Sequence, residues 1–396
     1  MQIKQIRVVN IDLPKQIPHS KPWRKSAIKS GAQRAFPINF YSEFSSNFGS
    51  IPGTNLEDIL WVQAIAEDGT YGLGACNFGG PVAWLIDYFY APLLKNKDAF
   101  AIEYLNDLMW RASQFFGSSG ISSIAMSGID LALWDLKGKL LDVPVYSLIG
   151  GPCRDKVKLY ATSDDLDWSK ELGFKAFKVS NPAHYIMDQN GLNLAEEHIA
   201  KSRDIVGKNA ELMYNPVMSF NSEYALRVAE KLRPYNLRWI EEPLIPTDID
   251  GLIYLKNAIT WIPLASGEHH HGRQAFYQLI KNRSVDIVQP DIQWAGGLSE
   301  VIKIYHIAES AGISTIPHMG AGTPWGQHFA LSMPESLMAE YWMGSDPGIP
   351  LDEICPIPGM ATPKDGYIIP SDAPGFGIDI PEKLIQYWDH SKIKNI

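Results

Sequence analysis

The chain changes its hydrophobic rhythm twice. Near the start, Ile3 to Asp12 reads as a strand, and Leu60 to Ala66 and Tyr71 to Cys76 read as two more. Glu67-Asp68-Gly69-Thr70 stands between the last two, so they are predicted to pair as a hairpin with Asp68-Gly69 in its turn. From Leu13 to Glu57 the periodicity is weak and Ser, Pro, Gly, Asn and aromatic residues abound. A loop that long inside a compact domain is expected to be a lid or a binding loop. Next comes a helical run, Ile121 to Leu141. It is apolar at Ile124, Leu131, Trp134 and Leu141, with small residues such as Ala125, Gly128 and Ala132 between, as in a largely buried helix; Val143-Pro144 ends it.

From residue 159 onward, short apolar runs alternate with helical stretches. That alternation predicts βα units around a parallel sheet. Eight strands are expected: Leu159 to Thr162, Ala176 to Val179, Leu212 to Tyr214, Arg238 to Ile240, Pro263 to Ser266, Ile287 to Pro290, Thr315 to Pro317 and Leu337 to Ala339. From the second onward each carries a polar group at or just past its end: Lys178, Asn215, Glu241, Glu268, Asp291, His318 and Glu340. From Asn215 the intervals are 26, 27, 23, 27 and 22 residues, about what one strand, one helix and two short loops require. In a closed barrel these residues share the C-terminal mouth, where such barrels keep their chemistry.

Composition narrows the picture. The 396 residues suit one large barrel with an appendage, or two to three ordinary domains, and the strand-end spacing decides for the barrel. A net charge of −9 argues against a general nucleic-acid binder but not against a local site for a small anion. Cys76, Cys153 and Cys355 offer neither a disulfide framework nor zinc spacing and are expected to be small buried hydrophobes. The most apolar stretch, Pro81 to Leu94, is too short to span a membrane and contains Asp87. Met1 to Arg7 alternates like a strand and lacks the apolar core of a signal peptide, so the cytoplasm is the expected location, with no membrane partner. The 12 Trp and 17 Tyr are expected in core and interfaces, though carbohydrate pockets also use such rings.

The strand ends suggest a reaction. Asn215, Glu241 and Glu268 offer oxygen without sulfur or imidazole, a set that suits a hard cation such as Mg²⁺. Glu242 is expected to point away along its strand and to be structural. An Asp bonded to one imidazole nitrogen raises the basicity of the other, so Asp291 and His318 form a candidate general base. Glu340 is positioned to bond substrate, assist an acid or brace the mouth. A divalent ion with a His base implies abstraction of a proton α to a carboxylate. In Glu268-His269-His270-His271 adjacent side chains diverge, so a three-His metal site is not expected; His269 could reach substrate, while His270 and His271 pack or bond within the loop.

This constellation resembles the mandelate racemase-like branch of the enolase superfamily. The similarity extends to Gly128-Ile129-Asp130-Leu131-Ala132-Leu133-Trp134-Asp135 and to Pro144 with Leu148-Ile149-Gly150-Gly151. Within the branch it is similar to the L-rhamnonate dehydratases, through Leu237 to Glu242, Ser266 to His270, Gln289-Pro290-Asp291, Trp294 to Gly297, Pro317-His318, Ala339-Glu340 and Pro374 to Gly377. The resemblance implies an α+β cap with its lid over residues 1–125, a (β/α)7β TIM-like barrel over 126–360, and a segment, 361–396, returning to the cap. It implies Mg²⁺ held by residue 215, Glu241 and Glu268, with His318 as base oriented by Asp291. His269 and Glu340 would contact substrate or assist the acid step, and Lys178 matches a family Lys. Lid residues that touch substrate in the family have His19, Arg24 and Arg34 as candidates here. The implied activity is dehydration of an aldonate to a 2-keto-3-deoxy acid by a homo-oligomer. An epimerase or racemase, or a sugar-acid binder without catalysis, are the alternatives. Two departures stand out. The family's first ligand is normally Asp, and the paired Lys-x-Lys of racemising branches is missing from Lys175-Ala176-Phe177-Lys178-Val179-Ser180.

Overall fold

The computed structural model describes residues 1–44 and 59–391; residues 45–57 of the expected lid lie outside the described residues. Three antiparallel strands begin the fold: β1 (Ile3–Ile11), β2 (Leu60–Ala66) and β3 (Tyr71–Cys76). The expected hairpin forms, with Leu60 opposite Cys76 and Ile65 opposite Tyr71. In its turn Gly69 takes φ +90°, and the Asp68 carboxylate accepts the Thr70 N–H at 2.9 Å.

The helix Ile121–Leu141 forms as predicted and packs across β2 and β3. It comes very close, because β3 presents glycine there. A Cβ at Gly72 would stand 2.2 Å from the Ala132 carbonyl oxygen, and one at Gly74 2.4 Å from that of Gly128. The helix is also a tie. Buried Asp130 accepts the Ser299 N–H at 3.0 Å and its hydroxyl at 2.6 Å, from the barrel side. Buried Asp135 accepts the N–H groups of Leu73 in β3 and Phe376 near the C-terminus, both at 2.8 Å. The segment that carries the family resemblance therefore joins three parts of the fold.

The barrel strands are β4 (Val157–Thr162), β5 (Ala176–Ser180), β6 (Glu211–Asn215), β7 (Ile240–Glu241), β8 (Leu264–Ser266), β9 (Ile287–Val288), β10 (Ser314–Thr315) and β11 (Ala339–Trp342). They pair in parallel in the order β10-β9-β8-β7-β6-β5-β4-β11. Across the seam between β10 and β11 the Ala321 N–H donates to the Glu340 carbonyl at 2.7 Å. The observed fold is thus the expected α/β one, a TIM-like barrel with an N-terminal α+β domain. The last strand starts two residues later than its apolar run suggests, because Leu337 stays exposed. The short β12 (Tyr367–Ile368) lines β4, and β13 (Ile385–Tyr387) joins β1 with Val9 opposite Tyr387.

One buried layer fills the barrel interior: Tyr160, Ala176, Met213, Trp239, Ala265, Ile287, Ile316 and Met338. Strand side chains alternate, so the next inward positions lie two residues on. They are Thr162, Lys178, Asn215, Glu241, Gly267, Gln289, His318 and Glu340. A hydrophobic floor with a polar ring directly above it explains why the strand ends converge. Among the described residues no helix is long and apolar enough to cross a membrane.

Candidate active site

The polar ring divides into two halves. In the first, the ammonium of Lys178, 1% exposed, bridges two buried carboxylates: it pairs with Glu241 Oε1 and lies 2.7 Å from Glu340 Oε1. Glu340 also accepts the Thr162 hydroxyl at 2.5 Å and the Met319 N–H at 3.0 Å. Burial disfavours the Glu340 anion, but Lys178 and then His318 outweigh it and hold the carboxyl down at about 2. Glu241 is equally occupied. Its Oε1 also accepts Asn215 Nδ2 at 2.8 Å, and its Oε2 accepts Trp239 Nε1 at 3.0 Å and Gln289 Nε2 at 2.8 Å. Neither Trp239 nor Gln289 was singled out by pattern; both sit at inward positions, which is the signal that finds them.

The second half is less satisfied. Asp291 and His318 join neighbouring strands through an isolated bridge, and His318 Nδ1 lies 2.7 Å from Asp291 Oδ2. His318 Nε2 faces inward, 3.8 Å from Glu268 Oε1. Burial opposes an imidazolium there, but Glu268, Asp291 and Glu340 together push His318 up to about 10. Glu268 is 7% exposed, and its carboxylate has no hydrogen-bond partner among the described residues. Burial, reinforced by Glu242 and Glu241, lifts it to about 7. His269 Nδ1 lies 2.7 Å from Glu242 Oε2 and 3.7 Å from Glu268 Oε1. Glu242, expected to be merely structural, thus holds the His269 ring at the mouth, where φ +40° at Glu242 lets two successive residues both serve the site. Trp294 lies between His269 and His318, its ring 5.7 and 5.3 Å from theirs, and Asn77 accepts its Nε1–H at 2.9 Å. His271 bonds across to the next loop, its Nδ1 3.0 Å from the Trp294 carbonyl, while His270 packs on Phe276.

A cavity of about 130 Å³ opens above this ring. Lys178, Asn215, His318 and Glu340 line it, as do Trp342 and the lid residues Arg34, Ala35 and Phe36. Arg34 is therefore the lid cation that reaches the site; it lies 3.5 Å from Asp164, and its Nε has no hydrogen-bond partner among the described residues. Arg24 is committed elsewhere, pairing with Asp165 and Asp167 and stacking on Trp23. His19 is exposed, and its neighbour Ser20 is anchored to Glu353 at 2.6 and 2.8 Å. The geometry brings neither His19 nor Arg24 to the cavity; both belong to the fastening of the lid.

Of the three expected metal-ligand positions, Glu268 is open to a hard divalent cation, while both oxygens of Glu241 already accept donors. Glu268 is a buried carboxylate in need of a cation, and Glu241 stands on the adjacent strand. Asn215 departs from expectation. Its carbonyl accepts the Val217 N–H at 2.8 Å, closing an Asx turn, so its amide nitrogen rather than its oxygen faces Glu241. Among the described His, Cys, Asp and Glu residues, one group of three gathers its ligand atoms within 4.8 Å, Glu242, Glu268 and His269, and it shares only Glu268 with the expected set.

A half-buried His318 on a buried Asp291 and carboxylates at successive strand ends, under a lid from an α+β cap, define an enolase-type site, and comparison agrees. Residues 53–150 match the mandelate racemase / muconate lactonizing enzyme N-terminal domain, and residues 164–384 match the enolase C-terminal domain-like family. The chain belongs to the enolase superfamily, in its mandelate racemase branch. It is 34% identical to an L-rhamnonate dehydratase of Saccharopolyspora erythraea, over 90% of this chain and 92% of that protein. A crystal structure of rhamnonate dehydratase from Gibberella zeae complexed with Mg superposes with a TM-score of 0.87 at 28% identity, covering 100% of this chain and 98% of that one. A racemase from Streptomyces coelicolor A3(2) with bound magnesium is more distant, with a TM-score of 0.75 at 25% identity, over 96% of this chain and 97% of that one.

Proposed function

We propose that the chain is a Mg²⁺-dependent acid-sugar dehydratase, a hydro-lyase that converts an aldonate of the L-rhamnonate type to its 2-keto-3-deoxy acid. The observation that carries the proposal is the His318–Asp291 pair, with Nε2 turned toward the cavity that Lys178, Glu340 and Arg34 also line. The names of the relatives support the same class.

Glu241 and Glu268 would hold the metal, which when bound supplies Lewis-acid stabilisation of developing oxyanion charge. Asp291 fixes the tautomer of His318, so that Nε2 takes the C2 proton. The electron pair of the C2–H bond passes into the carboxylate to give an enediolate. Its return expels the 3-hydroxyl, which leaves as water with the proton His318 took up, and the enol product tautomerises to the keto acid. Neutralising Glu268 removes the strongest attraction that keeps His318 protonated and readies it as a base. His269, held by Glu242, and Glu340, held by Lys178, would orient substrate hydroxyls, and Arg34 would close the cavity from above. Ser180, two residues past Lys178, donates its hydroxyl to Asp164 at 2.6 Å, which leaves β5 without a second base and favours elimination over 1,1-proton transfer. A cytoplasmic homo-oligomer belongs to the same reading; exposed cap rings such as Trp84, Tyr88 and Phe115 are surface that a second copy would cover.

Screening aldonates with Mg²⁺ for 2-keto-3-deoxy product tests the proposal. Turnover of at least one acid, abolished in His318→Asn, is expected. Deuterium incorporation at C2 in D₂O without keto product would overturn it in favour of an epimerase.

A further inference from the structure

Asn215 and Lys178 act on the same carboxylate oxygen. Glu241 Oε1 accepts both the ammonium and the Asn215 amide, while Oε2 is filled by Trp239 and Gln289. A divalent cation on Glu241 would therefore face a fixed ammonium and an amide N–H where a ligand of opposite polarity is needed. Asp at position 215 would add an anion to offset that repulsion; Asn adds none, and its carbonyl is spent on Val217. An anion near Lys178 would relieve the conflict in another way. Lys178, Asn215 and Glu340 all line the cavity, so a substrate carboxylate seated there draws the ammonium away from Glu241.

We propose that the acid substrate admits the metal. In the free chain Lys178 and Asn215 occupy Glu241, and a divalent ion binds tightly only together with a carboxylic acid that engages Lys178. This rests on the functional reading above only in the kind of acid. Linkage makes the effect reciprocal, so the ion tightens acid binding by the same factor.

Calorimetric titration of the full chain with Mg²⁺ tests this, alone and with a saturating 2-hydroxy acid that lacks a 3-hydroxyl and so cannot be dehydrated. Expected are weak Mg²⁺ binding alone, tightening on the order of tenfold or more with the acid, and a similar gain in Asn215→Asp without any acid. Wild-type affinity within about twofold of the Asn215→Asp value in the absence of acid would overturn the inference. So would an acid that binds, by its own titration, and leaves the Mg²⁺ affinity unchanged. Lys178→Gln gives a second check, since removing the ammonium should tighten Mg²⁺ without acid. If no such acid binds, the functional reading fails, while the two metal titrations without acid still decide whether Asn215 governs Glu241.

Discussion

The two halves of the barrel mouth both set buried carboxylates beside basic side chains, and they behave oppositely. On the β5–β7 and β11 side, Lys178 bridges Glu241 and Glu340, every carboxylate oxygen has a donor, and against burial Lys178 holds Glu340 well below the ordinary range. On the β8–β10 side, Glu268 is buried without a donor among the described residues, burial pushes it up to about 7, and His318 is held charged by the acids around it. One half is a finished electrostatic structure. The other stores unfavourable charge that a cation or a proton transfer would relieve. Reactivity belongs where burial and partners disagree, and each half gives its own measurable sign.

The largest expected effect is on chemistry. His318→Asn removes the base, and turnover should fall by about 10³-fold or more, while the circular dichroism spectrum stays near wild type. An unchanged rate would take His318 out of the mechanism and leave the second half without a role. Next in size, Lys178→Met breaks the finished half. Two buried carboxylates lose their common cation, and stability should drop by about 3–5 kcal/mol in a denaturant titration. A loss below about 1 kcal/mol would mean that the pair is not what holds this side together.

Glu268→Gln should have the opposite sign. The folded-state pKa of Glu268 is raised from 4.5 to about 7, so ionised Glu268 opposes folding: its cost is absent below pH 4.5 and grows as pH rises toward 7. The glutamine variant, measured without divalent ions, should be more stable than wild type at pH 8, by on the order of 2 kcal/mol, and equal to it near pH 4. Glu340 runs the other way. Its pKa is depressed from 4.5 to about 2, so its contribution is present above pH 4.5 and lost as pH falls toward 2. If both acids shifted stability in the same direction, the contrast between the halves would be wrong.

Much of this was legible in the sequence, for one reason. The period of the βα unit fixes where strand ends fall, and the two-residue alternation of a strand fixes which side chains enter the barrel. Lys178, Asn215, Glu241, His318 and Glu340 share one layer because each lies two residues past a floor residue. Glu268 and Asp291 are one step and one layer out of phase, and spacing alone located them. What spacing could not show was hydrogen-bond direction. That Asn215 turns its nitrogen to Glu241 depends on the backbone of Val217, at φ +47°. That Glu242 serves the site depends on φ +40° at its own position, a conformation no alternation rule anticipates. The lid is hardest of all. Its weak periodicity left His19, Arg24 and Arg34 with equal claims, and only tertiary partners separate Arg34 at the cavity from Arg24 on Asp165 and Asp167.

The smallest and most discriminating effect lies on the boundary between the halves. His318 works as a base only when neutral, so kcat/KM should decline on the acid side of its pKa. Asp291 lies in the second half and Glu340 in the first, yet both raise that pKa, Asp291 through a hydrogen bond and charge and Glu340 through charge alone. Removing either anion makes the imidazolium less favourable, so the acid limb should move to lower pH in both Asp291→Asn and Glu340→Gln. Asp291→Asn should also lower the plateau, because the tautomer that exposes Nε2 loses its anchor. Glu340→Gln leaves that anchor in place, so its limb should shift by about half a unit to one unit with less change in the plateau. A Glu340→Gln profile that does not move at all would show that Lys178 already screens the Glu340 charge from His318. The wall between a finished half and a reactive one would then be the Lys178–Glu340 pair itself.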